Sequence, residues 1–435
     1  MSYDDWCNIM TASQIPPTDT LTLPEAVAKP APTEAESLKQ DIIQRARELG
    51  FDLVRFTTAE PFPDTRRVLE ERINAGLLSG LGWFNMERAR VAGDARNLMP
   101  SVKTIVSLGI SYLSEGEYQP SRPGDPRGRV ARYAWGVDYH DLFKDRLKAL
   151  HSYVQERLGR PVEARTLVDT ARIVDRAVAR RAGMGWYGKN TNLLNRHYGS
   201  WLLLGELLLD VELPPDQPVR THCGSCALCM PACPTGALIA PGVLDNNRCI
   251  SYLTIELRGP IPRELRPLVG DWVFGCDICQ EVCPVNRKAT PGNHPELSPQ
   301  AGIGPSPSLV ELLDMSEEEF RERFRHSPVK RAKWAGIRRN AAVALGNICD
   351  PATVPPLIRA LNGEPALVRG HAAWALGRIG GTDAEAALRA RYSIEPDEWV
   401  REEIASALAE LGAAMQHTHG EVIKDDHATN TRHAC

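Results

Sequence analysis

The chain has 435 residues, 43% of them hydrophobic and 24% charged, with a formal net charge of −4. This length allows two to four domains of ordinary globular composition. The charge balance excludes nucleic-acid binding by global attraction and leaves room only for a local basic patch. No apolar run reaches the ~20 residues of a bilayer span, and the longest, Trp201 to Leu209, is broken by Glu206.

Residues 1–36 are rich in Pro, Thr and Ala and lack a basic stretch followed by an apolar run, so they read as a disordered leader and not as an export signal. A cytoplasmic protein with reduced thiols is therefore expected. The spacing of Leu38, Ile42, Ile43, Ala46 and Leu49 predicts a helix that stops at Gly50. Strands are predicted at 51–56 and 104–110, with helical sequence around 65–78 between them. An amphipathic helix follows over 141–158, then a strand over 162–168. Asp169 is placed to cap a helix over 170–182. The glycine-punctuated loop 182–190 and the apolar segment 201–209 complete a first unit, residues 37–215. Its alternating elements predict an α/β or α+β domain with its own core.

Residues 216–290 hold eight of the eleven cysteines. Cys223, Cys226, Cys229 and Cys233-Pro234 form the C-x2-C-x2-C-x3-C-P run of two-cluster ferredoxins. Cys276, Cys279 and Cys283-Pro284 repeat its ending without the leading cysteine, which Cys249 can supply. In this pattern the last cysteine of each run crosses to the other cube. One 4Fe–4S cluster is thus expected on Cys223, Cys226, Cys229 and Cys283, and a second on Cys233, Cys249, Cys276 and Cys279. Paired zinc sites would not need the two Cys-Pro endings or the interleaved count of eight.

Residues 291–412 change character. Ile337-Arg338, Val368-Arg369 and Val400-Arg401 each open a similar small-residue helix at lags of 31 and 32, the pattern of HEAT-like paired helices. Residues 413–435, with His417, His419, His427 and His433, read as a disordered tail. The chain as a whole is expected to be α+β, with a redox function. No G-x-G-x-x-G follows a strand, so a Rossmann-bound flavin or nicotinamide is not supported.

Several segments carry a resemblance. Val168 to Asn190, Arg132-Tyr133-Ala-Trp-Gly-Val-Asp-Tyr-His140, Tyr198 to Glu206, Cys249 to Thr254, the double cysteine run and Pro328 to Asn340 resemble, in order, the epoxyqueuosine reductase family. The resemblance covers about residues 37–410. It implies an enzyme that reduces the epoxide of epoxyqueuosine at the tRNA wobble position, using cobalamin and two 4Fe–4S clusters. An external donor of flavodoxin or ferredoxin type would supply electrons, and a monomer is expected, with no membrane partner. Asp169 matches the family's proton donor, with Asp175 an alternative acid. Arg132, Tyr133, Asp169, Lys189, Asn190, Ser200, Trp201 and Arg248 lie in motifs that would flank the corrin. Asp138-Tyr-His140 begins a D-x-H-x-x-G cobalamin motif, but Phe143 stands in place of its glycine, so His140 is expected to be no lower cobalt ligand. Lys330, Arg331, Lys333, Arg338 and Arg339, around Trp334, read as a solvated helix face on their own, and as tRNA phosphate contacts in this family. A small-molecule reductase related to dehalogenases and a non-catalytic electron carrier are the competing readings.

Overall fold

A computed structural model describes residues 33–169 and 171–421. The expected leader lies almost wholly outside these residues. Helix α1 (Glu34–Glu48) is opened by a reciprocal capping box between Thr33 and Glu36. It buries Leu38, Ile42 and Ala46.

Strands β1 (Leu53–Thr58), β2 (Thr104–Ser111), β3 (Ala164–Val168) and β4 (Leu202–Leu209) make one sheet in the order β1-β2-β4-β3, antiparallel throughout. Of the two architectures left open for this unit, it is therefore α+β. Helix α1 and helix α2 (Tyr139–Leu158) cover one face, where Phe143, Leu147, Leu150 and Val154 are buried. Helix α3 (Asp175–Arg181) covers the other, packing Val178 against Ile105, Leu167 and Leu208. With both faces covered, β2 is buried along its whole length, which explains its near-continuous apolar sequence.

The expected cap at Asp169 is not formed. Asp169 has φ +38°, whereas an N-cap residue is extended, and the helix begins only at Asp175. The chain after β3 turns sharply and presents Asp169 on a loop.

The cysteine segment has little regular structure. Two short helical turns, Cys229–Ala232 and Ile278–Glu281, pack against each other. Trp272–Phe274 pairs in parallel with Arg129–Val130 and so joins this segment to the first unit. Seven α-helices follow among the described residues: Leu309–Asp314 and Glu317–Arg323, then α4 (Lys333–Ile348), α5 (Val354–Leu361), α6 (Ala366–Ile379), α7 (Thr382–Tyr392) and α8 (Glu398–Glu421). Small residues set the distance between repeats: a Cβ on Gly346 would stand 2.6 Å from the Trp374 ring, and one on Gly377 would stand 2.6 Å from Ala407. Helix α8 runs past Gly412 to Glu421, so the first part of the predicted disordered tail is helical. Residues 422–435, including His427 and His433, lie outside the described residues.

The recurring arginines are staples inside the array. Arg338 donates to the carbonyl oxygens of Leu313 and Glu364, both at 2.6 Å. Arg369 donates to both carboxylate oxygens of Glu395 at 3.0 and 2.8 Å, and Arg401 donates to the Glu395 carbonyl at 3.0 Å. Glu364 and Glu395 each precede a proline at the start of the next repeat. The repeated Arg and the repeated Glu-Pro are thus two halves of one inter-repeat contact. A single hydrophobic core runs through Val130 to Trp135, Ile250 to Phe274 and on to Ala407, so the predicted limits at 216 and 290 do not divide the interior.

Candidate active site and cluster centres

None of the eight cysteines is in a disulfide, and all are partly buried. Cys283, distant in sequence from the first run, lies within electrostatic reach of Cys223 and Cys226, as Cys229 does of all three. Cys249 stands beside Cys233, and Cys276 beside Cys249 and Cys279. Cys279 also feels Cys229, across the boundary between the groups. Burial raises the thiols of Cys276 and Cys279 well above the ordinary range, so their thiolates need a compensating cation. Among the described residues no three His, Cys, Asp or Glu side chains converge on one ion. A cube spreads its ligands over four corners and does not need that convergence.

Asp169 lies where two cavities meet. One, of about 250 Å³, runs under the sheet edge past Asp175, Arg176 and Ser200. The other, of about 500 Å³, opens past Tyr133, His140, Asn246, Phe274, Lys330 and Arg331. Tyr139 lines both and donates a hydrogen bond to Asp169 Oδ2 at 2.7 Å. Burial and the Asp169 charge raise the Tyr139 hydroxyl well above its usual range, so it remains a donor. His140 stacks on Tyr139, with ring centroids 4.3 Å apart. Its Nε2 is 3.7 Å from Asp169 Oδ2, and its Nδ1 is 2.8 Å from Asp138 Oδ1. Lys330 reaches Asp138 Oδ2 at 2.6 Å. Burial alone would raise the Asp138 carboxyl, but the contacts with His140 and Lys330 outweigh it and hold the group far below the carboxylate range. The Asp169 side chain is 58% exposed. The protein alone does not bury it, and cover falls to whatever binds in the cleft.

The family model described as "Epoxyqueuosine reductase QueG, DUF1730" matches residues 93–170, a 4Fe-4S double cluster binding domain matches 222–286, and HEAT repeats match 332–409. The epoxyqueuosine reductase of Bacillus subtilis is 37% identical over 388 residues, 88% of this chain and 98% of that protein. The Escherichia coli enzyme is 40% identical, covering 80% and 91%. The chain belongs to the epoxyqueuosine reductase family. A crystal structure of a selenomethionine-labelled epoxyqueuosine reductase superposes with a TM-score of 0.82 at 36% identity, covering 86% of this chain and 99% of that one. Another, of epoxyqueuosine reductase with an epoxyqueuosine-modified tRNA-Tyr stem loop, gives 0.82 at 35% identity over the same shares. This member is an oxidoreductase with a double-cluster domain and HEAT repeats.

The predicted corrin contacts divide on the structure. Tyr133 and Ser200 line the cavities with Asp169. The others mainly join the sheet unit to the cysteine segment. Arg132 donates its backbone N–H to Asp277 at 2.7 Å and lies over the rings of Trp135 and the buried Trp201. Lys189 donates to the Gly224 carbonyl at 2.8 Å and Asn190 to that of Cys279 at 3.2 Å, whereas Arg248 stays within the cysteine segment and donates to the Thr235 carbonyl at 2.8 Å. Ser200 also belongs to this seam, donating to Gln280 at 2.8 Å. Tyr139 and Asn246 in the cleft were not singled out from sequence; Tyr139 sits between two residues of a noted motif, which was the available signal.

The basic segment also divides. Arg339 is fully buried and Arg338 is 8% exposed, so neither is free to meet a phosphate. Arg339 donates to the carbonyls of Leu253, Leu257 and Gly259 at 2.6–2.9 Å. Burial without a carboxylate partner lowers its guanidinium to about 9. Lys330, Arg331 and Lys333 instead line a third cavity of about 620 Å³ with Arg258, Arg321 and Arg325. Lys330 and Arg331 line the Asp169 cleft as well. The three added arginines are scattered through the sequence, and only folding brings them together.

Proposed function

We propose that this chain reduces the epoxide of epoxyqueuosine in tRNA to the cyclopentene of queuosine, with Asp169 as proton donor, cobalamin as reductant and two 4Fe–4S clusters as its electron supply. The observation that carries the reading is the position of Asp169. It is held by Tyr139 at the meeting point of two cavities, one of which leads into the basic groove.

The cleft fits a flat, amide-fringed macrocycle. It has aromatic walls in Tyr133, Tyr139 and Phe274, and two polar atoms lining it, Asn246 Nδ2 and His140 Nε2, are buried without a hydrogen-bond partner. Tyr133, Asn246 and Ser200 would hold the cofactor, with Arg132, Lys189, Asn190, Trp201 and Arg248 bracing the wall behind. His140 engages Asp138 through Nδ1, which leaves Nε2 facing the cleft, while Phe143, in the place of the motif glycine, is fully buried in the core. Cobalamin, when bound, supplies a strong two-electron reductant that the clusters can recharge one electron at a time. The chain's own part is to orient the epoxide, screen it from water and place the Asp169 proton at its oxygen. Lys330, Arg331 and Lys333 would grip the tRNA backbone beside the cleft. A flavodoxin- or ferredoxin-type carrier would reduce the clusters, and the chain would act as a cytoplasmic monomer. No helix among the described residues is long and apolar enough to cross a membrane.

A general acid typically contributes ~10²–10⁴-fold. Asp169→Asn keeps the volume, and asparagine tolerates the left-handed backbone. The variant is therefore expected to bind cobalamin and an epoxyqueuosine stem-loop normally but to lose about that factor in single-turnover rate. A near-normal rate with pre-reduced protein would remove Asp169 from the chemistry.

A further inference from the structure

Beneath the floor of the smaller cavity lies a pair of acids that the reaction described above does not use. Glu206 stands in the middle of β4, opposite Ser107 of β2 and Leu167 of β3, and is fully buried. Its carboxyl faces that of Asp175, the first residue of α3, at hydrogen-bonding range. Two carboxylates offer each other no donor, and neither Glu206 oxygen nor Asp175 Oδ1 finds another partner among the described residues. A buried polar group without a partner costs roughly 1–3 kcal/mol, and more when charged. Only a proton held between the two acids satisfies the arrangement. Asp175 is partly exposed and lines the same cavity as Asp169, while Glu206 is sealed behind it. The pair thus has a closed end and an outlet, and the outlet opens towards the active carboxyl.

We propose that Asp175 and Glu206 form a one-proton store that recharges Asp169 across the cavity and so supplies the second proton of the reduction. This rests on the reading of Asp169 as the proton donor. The balance requires two electrons and two protons per epoxide. Breaking the first C–O bond uses the Asp169 proton and leaves a hydroxyl. Breaking the second forms the C=C bond and releases that oxygen as water, which requires another proton. Asp169 receives it from the pair, and the pair is refilled from solvent through the outlet. Both electrons come from the reductant of the proposed reaction.

The groups facing the pair set its proton affinity. Burial raises both the Asp175 and the Glu206 carboxyl well above their usual range. The Asp169 charge raises both. Arg176 opposes this at Asp175, but its guanidinium also donates to the Thr191 carbonyl at 2.6 Å. Arg88, whose guanidinium donates to the Ala171 carbonyl at 2.8 Å, faces Asp169 and Asp175 from the neighbouring helix. The raised affinity means that the stored proton is present at and below neutrality and is lost as the pH rises.

Two readouts test the store. In the holoenzyme at pH 6, infrared spectra should show a protonated-carboxyl C=O band that shifts in D2O and is missing from Glu206→Gln. Single-turnover rates on an epoxyqueuosine stem-loop should fall as the pH rises above neutrality in the wild type. Glu206→Gln keeps the shape but not the shared proton, and should be slower by roughly tenfold at pH 7, with that pH limb lost and stem-loop affinity unchanged. Asp175→Asn should behave alike and replaces the first variant if it does not fold. No such band in the wild type, or a folded variant with the wild-type rate and pH profile, overturns the store. A wild type that converts no epoxide refutes the functional reading instead, and the infrared result then still decides whether the pair holds a proton.

Discussion

The cysteine segment and the basic segment 330–339 make an instructive pair. Both looked like functional sequence, each dense in one kind of side chain. In the structure Cys249 and Cys283, which stand apart from the two runs, lie within electrostatic reach of Cys233 and of Cys223 and Cys226 respectively. It splits the cations instead, with Lys330, Arg331 and Lys333 lining a groove while Arg338 and Arg339 face inward. Metal ligation fixes which side chains must meet, so spacing carries geometric information. A run of charge fixes nothing about direction, because a guanidinium surrounded by carbonyl oxygens is as satisfied inside as outside. Arg338 staples the repeat array, while Arg339 braces backbone next to the cysteines. Arg339 holds the carbonyls of residues 253–259, and Asn340 holds those of Thr254 and Val273, each at 2.8 Å. These anchor the backbone just after Cys249 and just before Cys276.

The largest effect should come from breaking that anchor. Arg339→Met strips one buried and two partly buried carbonyls of their donor, at ~1–3 kcal/mol for a buried group left unsatisfied. The expected result is a lower thermal midpoint together with loss of iron, read by calorimetry and metal analysis. A variant that kept wild-type stability and lost only tRNA affinity would return Arg339 to the groove. Next comes Cys249→Ala, which should reduce iron from about eight to about four atoms per chain and leave one cluster visible by EPR. Retention of both clusters would reassign the missing ligand. The smallest effect sharpens the other side of the contrast. Arg325→Glu combined with Lys333→Glu should weaken stem-loop binding by about tenfold and flatten its salt dependence by about two ion equivalents, with cluster spectra untouched. Unchanged affinity would mean that the groove does not carry tRNA.

The sequence was most readable where local pattern and tertiary demand coincide. The strand at 104–111 and helix α2 fell within a few residues of expectation, because a short apolar run and helical spacing record what is buried; the apolar segment 201–209, open between a strand and a core segment, forms strand β4. The helix after β3 was misplaced, since aspartate before a helical run is ordinarily a cap, and a left-handed aspartate leaves no mark in composition. Glu206 was visible as a charge within an apolar strand, but its partner Asp175 lies across the sheet face, a pairing that no local pattern encodes. The repeated arginines were found as a period and misread in part, because the period reports a shared contact without saying with what.

The short parallel pairing of Arg129–Val130 with Trp272–Phe274 bears on how the molecule comes into being. The first strand is synthesised long before the second, and its neighbours Val130, Ala131 and Trp135 belong to a core finished only by helices later still. Contacts so distant along the chain form slowly, and until they form those side chains remain exposed to wrong partners. The surroundings of the cysteine segment are complete only once the last third of the chain has left the ribosome, so cluster insertion is expected to be a late step, coupled to completion of the whole fold.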